Sequence, residues 1–180
     1  MKGVVFTEFM EMVEGRFPVE TCEKLIEESN LRSNGVYTSV GTYDHNEMVT
    51  LVTNLSALVG VPVPDLLKEF GRHLFKHFVT KFPGFFDNIT STFEFLPRVE
   101  SYVHLEVRKL YPDAELPTFI SDFPQPGQLN MTYRSIRNFP DLAEGLILGC
   151  IEHFGEQIEI KRESLPENPS AVLFTIISSK

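Results

Sequence analysis

The apolar residues of this chain follow a helical period up to Pro112 and then switch to strand alternation, and that change of rhythm limits the fold more than any other feature. Before the switch, Phe6, Phe9, Met10 and Val13 share one helical face, which Gly15 and Pro18 close before a second helix begins near Val19. Asn34-Gly35 marks a turn, and a third helix fits 46–58 with Gly60 just beyond it. Pro64 stands near the start of a fourth helix that runs to about Phe82, where Pro83-Gly84 ends it. Leu96, Val99, Val103, Val107 and Leu110 predict a regular helix over 96–110, with Pro97 confined to its first turn and His104 beside the apolar stripe. After Pro112, the spans 116–120 and 128–134 read as strands joined by the turn-rich 121–127. A helix over 141–156 carrying Leu142, Leu146, Cys150 and Phe154 follows, then strands over 157–162 and 171–178. Helices first and a small antiparallel sheet of about four strands later predict an α+β protein.

At 180 residues, 42% of them hydrophobic, the chain is expected to form a single domain with a sizeable core. Sixteen Lys and Arg against 25 Asp and Glu leave a net charge of -9, which argues against a nucleic acid or an anionic membrane surface as partner. The N-terminus turns acidic at Glu8, too early for a signal peptide, and no run approaches the ~18 apolar residues that cross a bilayer. A cytoplasmic location is the expectation. Two cysteines, Cys22 and Cys150, far apart in sequence, make no disulfide framework and read as buried or free thiols.

Two features carry chemistry. If Tyr133-Arg134-Ser135-Ile136-Arg137 is extended, the Tyr133 and Ser135 hydroxyls and the Arg137 guanidinium project from one side, three donors suited to a carboxylate or phosphate. About 30 residues earlier, His104 stands on an apolar helical pattern, where it is either a core histidine with one hydrogen bond or a metal ligand. Together they fit a buried cofactor with an acidic edge and a metal centre. Other candidates are weaker. His73 and His77 have the i, i+4 spacing that grips a zinc ion, yet no Glu stands in the His-Glu-x-x-His position and no third ligand is evident, so a solvated or edge position is the plainer reading. Ser135 lacks the glycine-flanked elbow of a hydrolase nucleophile, and Gly145 and Gly149 inside a helix read as close-packing positions.

Met1-Lys2-Gly3, Phe70-Gly71-Arg72, the run from His104 to Pro112, Pro117, Tyr133-x-Ser135-x-Arg137 and the Glu144-Gly145-Leu146 that follows together resemble the haem nitric oxide/oxygen-binding family. These are bacterial relatives of the haem domain of soluble guanylate cyclase, and the resemblance runs in order along essentially the whole chain. It implies a haem b (iron protoporphyrin IX) cofactor, with His104 as the iron ligand and Tyr133, Ser135 and Arg137 on the propionates. It implies that Pro117 presses on the porphyrin, and that Val5, Phe9, Leu74, Phe78, Leu142 and Leu146 line the distal and peripheral pocket. It also implies a helical part over about 1–62 and a haem-ligating part over about 63–180.

The departure from part of the family concerns ligand choice. Members that hold oxygen stably carry a distal tyrosine on the helix after the triplet, and counting from Tyr133 that position is Leu142. Bound oxygen needs a donated hydrogen bond, whereas nitric oxide and carbon monoxide bind ferrous haem without one. The expectation is therefore a non-catalytic nitric oxide sensor, and the resemblance implies that it reports to a separate histidine kinase or to a diguanylate cyclase or phosphodiesterase. The alternatives are an oxygen-binding or haem-carrier protein, and an enzyme such as a haem peroxidase or a Ser135 hydrolase.

Overall fold

The computed structural model describes residues 1–166 and 168–178. It is α+β. Helices α1 (Gly3–Arg16), α2 (Val19–Ser29), α3 (His45–Val59) and α4 (Val63–Lys81) come first, followed by a 3-10 turn over Pro83–Phe86. A short helix α5 (Thr92–Phe95), a π-helical turn over Val99–Val103 and α6 (His104–Leu110) lead into the hairpin β1 (Thr118–Gln125) and β2 (Gln128–Arg134). Helix α7 (Pro140–Phe154) and the hairpin β3 (Ile158–Ser164) and β4 (Ala171–Ser178) complete the order.

The punctuation acts as its chemistry dictates. Gly60 and Gly155 end α3 and α7 with φ of 72° and 66°, the left-handed cap that glycine adopts without penalty. Asp44 caps α3 by accepting the Asn46 N–H, and Pro64 and Pro140 sit in the first turns of α4 and α7, where no N–H is required. No single described helix is long and apolar enough to cross a membrane; α3 and α4 pass that test only together, and they are bent by 114°.

The four strands are antiparallel in the order β1-β2-β4-β3. One face is apolar: Leu129, Met131 and Tyr133 of β2 stand opposite Ile176, Phe174 and Val172 of β4, and all pack with Ala143, Ile147, Cys150 and Ile151 of α7. Phe75 and Phe95 belong to this core and Phe86 packs against it, with Phe86 stacked on Phe95 at 4.6 Å and Phe75 edge-on to both. A second core gathers Phe6, Phe9, Leu25, Met48, Leu51, Phe70, Leu74 and Leu142 from α1, α2, α3, α4 and α7. The two cores meet where α4 and α7 cross at backbone contact. A Cβ on Gly71 would lie 2.6 Å from Gly145 Cα, and one on Gly145 would lie 2.2 Å from the Lys68 carbonyl oxygen.

Two expectations on local structure are corrected. The regular helix over 96–110 is replaced by a break at Pro97, a π turn in which the His104 N–H reaches back to Val99 O, and a short α6. The extra residue in that turn rotates everything after it by about one position. His104 turns inward, to 8% exposure, while Leu110, which the stripe placed inside, is 60% exposed. The span 121–125 is not a turn but the second half of β1, held by pairing with β2 across a bulge between Asp122 and Gln125. Its exposed Phe123 and Pro124 hid the strand from any reading of alternation.

Candidate functional site

His104 opens α6 immediately after the π turn, a distortion of the kind that concentrates at functional positions. Its Nδ1 lies 3.0 Å from Glu100 Oε2, one turn earlier, and the same oxygen accepts the Phe119 N–H at 3.1 Å. The other oxygen of Glu100 faces Arg108 at 3.5 Å. With Nδ1 occupied, Nε2 is the nitrogen left without a hydrogen-bond partner among the described residues. Burial pushes the His104 pKa down against the raising influence of Glu100, which favours the neutral ring that a metal ligand must be. The ring packs on Phe119 at 5.9 Å, and Phe119 stands directly opposite Tyr133 in the β1–β2 register at 5.7 Å. The residue after the π turn is thus tied to the sheet through a row of rings.

The expected alternation over Tyr133, Ser135 and Arg137 fails after its first member. Strand β2 ends at Arg134, because the Ser135 hydroxyl accepts the Arg137 N–H at 3.2 Å and turns the chain toward Asn138, whose φ of 51° is left-handed, and Pro140. The three groups nevertheless stay together around that turn. The Tyr133 hydroxyl accepts the Phe139 N–H at 3.0 Å, and its pKa is raised by burial while the hydrogen bonding of Ser135 and Phe139 and the charge of Arg137 work to lower it. Arg137 lays its fork on Glu115, one nitrogen on the carbonyl oxygen at 2.7 Å and the other on Oε2 at 2.5 Å. A cavity of about 370 Å³ opens here, lined by Ser135 and Arg137 with Glu115, Leu116, Thr118, Arg134, Ile136, Asn168 and Ser170. His104 is not among its walls. Glu100 and Glu115 are the two functional candidates that sequence reasoning passed over; Glu100 had a signal, its i, i+4 spacing to His104, while Glu115 had none.

The six apolar positions expected to line a pocket collect on the other side of α7. Phe9, Leu74 and Leu142 belong to the second core, Val5 and Phe78 pack against it, and Leu146 touches both cores. Tyr37 and Tyr43 also pack against this core, but their hydroxyls are engaged, Tyr37 donating to Glu47 at 2.7 Å and Tyr43 accepting the Thr38 N–H at 2.9 Å. Pro117 directly precedes β1, two residues after Glu115. These residues suit a haem in kind: one neutral imidazole with a free nitrogen, a cation flanked by hydroxyls for carboxylates, and apolar walls.

The sequence profile of the haem-NO-binding family matches residues 2–162. Among solved structures, an Fe(II) unliganded H-NOX protein mutant from K. algicida is 41% identical with a TM-score of 0.93, over 100% of this chain and 97% of that one. An H-NOX from Shewanella woodyi in the Fe(II)CO state is 41% identical with a TM-score of 0.85, over 99% of this chain and 95% of that one. An H-NOX protein from S. oneidensis in the Fe(II)NO state is 25% identical with a TM-score of 0.90, over 100% of both chains. No curated protein matches this chain.

Proposed function

The chain belongs to the haem-NO-binding family of haem-based gas-sensing domains, and from that membership we propose that it is a nitric oxide sensor that also takes carbon monoxide and does not hold oxygen stably. The observation that carries the choice of gas is Leu142, 9% exposed, in a core shared with Phe9 and Leu74, an aliphatic side chain that offers a bound ligand no hydrogen-bond donor. Haem supplies the ferrous iron that receives the diatomic ligand. A missing donor worth about 1.5–3 kcal/mol lowers affinity for a ligand that needs one by roughly 10- to 100-fold.

In this reading His104 Nε2 would hold the iron, and Glu100 fixes its tautomer and orientation through Nδ1. Tyr133, Ser135 and Arg137 would hold the propionates, Pro117, ahead of β1, would lie against the macrocycle, and Val5, Phe9, Leu74, Phe78, Leu142 and Leu146 would make the apolar surround. Binding of nitric oxide would loosen the hold on His104. Release of that side chain would free α6 and the Pro117 segment, and the helical part over 1–62 would shift against the part over 63–180. The recipient is a separate cytoplasmic histidine kinase, or a diguanylate cyclase or phosphodiesterase, and the domain itself has no catalytic activity.

The test is spectral. Reduced protein should bind nitric oxide and carbon monoxide and show no lasting oxygen-bound spectrum in air-saturated buffer; a persistent one would overturn the choice of gas. His104→Gly should lose haem and regain its spectrum with exogenous imidazole, and unchanged haem content without imidazole would remove His104 from the axial role.

A further inference from the structure

Helix α1 buries a carboxylate in an otherwise apolar face. Glu8 is 5% exposed between Phe6 and Phe9, and among the described residues no Lys or Arg pairs with it. Its Oε2 faces two imidazoles one turn apart on α4, lying 2.8 Å from His77 Nδ1 and 3.4 Å from His73 Nε2. That His73 nitrogen is buried and makes no hydrogen bond among the described residues. Glu11, one turn along α1, brings a second carboxylate to the same place, so that the donor atoms of Glu8, Glu11 and His73 all lie within 4.8 Å of one another.

A buried carboxylate is costly unless a cation meets it, and a second carboxylate raises the cost. Imidazole is at best a part-time cation near neutral pH. A ring nitrogen without a hydrogen-bond partner and two carboxylate oxygens converging from two helices have the chemistry of a site for a borderline divalent ion, because imidazole favours zinc-class metals over magnesium or calcium. Donors at this separation close on an ion at ~2.0–2.2 Å with small side-chain rotations. The geometry points to a second metal site, apart from the haem, in which Glu8, Glu11 and His73 bind one zinc-class divalent cation and His77 orients the Glu8 carboxylate. The i, i+4 histidine pair lacked a third ligand in the sequence only because the missing carboxylates come from a helix some sixty residues away. The ion would tie α1 to α4 next to Phe9 and Leu74, stiffening one wall of the apolar surround.

The experiment uses haem-loaded protein stripped with a chelator and dialysed to equilibrium against zinc or magnesium, with bound zinc counted by atomic mass spectrometry independently of iron. One zinc per chain is expected, with no retention of magnesium. Glu11→Gln, at an exposed position, and His73→Asn should each weaken zinc binding by at least about tenfold with the haem spectrum intact, whereas His45→Asn, at the start of α3, should not. Absence of stoichiometric zinc in the wild type, or its retention in both Glu11→Gln and His73→Asn, overturns the site.

Discussion

Glu100 and His104 form a carboxylate–imidazole pair across one turn, Oε2 to Nδ1 at 3.0 Å, and the same carboxylate oxygen anchors the first half of β1 through the Phe119 N–H. A carboxylate on the far nitrogen makes the near one a stronger base. Glu100→Gln should therefore loosen haem retention by roughly 10- to 100-fold and lower the iron–histidine stretching frequency in the resonance Raman spectrum. A slower-folding protein with an unchanged frequency would assign Glu100 to the β1 anchor alone.

The Arg137 fork and the Ser135 hydroxyl differ in what their loss leaves behind. Arg137→Ala removes charge-assisted hydrogen bonds and should cost about 1.5–3 kcal/mol of haem affinity, or roughly 10- to 100-fold, whereas Ser135→Ala should cost under about tenfold. Because Arg137 also holds Glu115, whose side chain is largely exposed, Glu115→Gln serves as the control and should leave haem affinity close to wild type. Haem transfer to an acceptor globin measures all three, and equal losses for Arg137 and Ser135 would refute the ranking.

Leu142→Tyr places a phenol in the core that holds Phe9 and Leu74. Its hydroxyl should slow oxidation in air or reveal an oxygen-bound spectrum absent from the wild type, provided it comes within about 3.2 Å of the ligand. Stopped-flow absorbance of the reduced variant mixed with oxygenated buffer checks this.

Gly145→Ala forces a methyl group against the Lys68 carbonyl oxygen, at backbone that has no side-chain freedom to yield. Overpacking of this kind costs about 1–3 kcal/mol, a fall in Tm of roughly 2–12 °C for a chain of this size. Differential scanning calorimetry gives the number, and an unchanged Tm would mean that α4 and α7 separate without cost.

Burial pushes the Cys150 thiol up to about 12 from an ordinary 9.0. The folded state then keeps a proton that the unfolded chain releases, so this contribution to stability is whole below pH 9 and is lost as pH rises toward 12. Native protein at pH 8 should leave Cys150 unreacted with a disulfide reagent, and denaturant should expose two thiols. Rapid titration of both in the native state would contradict the burial.

Much of this protein was legible in its sequence because the relevant forces act over a few residues. Alternation in 128–134 and 171–178, helical spacing in Phe6, Phe9, Met10 and Val13, and the glycine at 60 located the central strands and the end of α3, whereas the helix read over 141–156 stops at Phe154 under the Gly155 cap. The types of the candidate ligands, one imidazole and a cation with two hydroxyls, were legible as well. Their placement was not. Ser135 hydrogen-bonds its own backbone and ends the strand that alternation would have continued, and the π turn before His104 rotates an apparently regular stripe by one residue. Phe123 and Pro124 sit in a strand that only pairing with β2 sustains. Glu8 meets His73 because α1 packs against α4, and Glu115 meets Arg137 because a turn folds back on the segment ahead of β1. Periodicity, capping and turn chemistry are local and can be read along the chain; burial of a charge, convergence of donors and helix register at a crossing depend on packing between distant segments, and tertiary structure alone decided them.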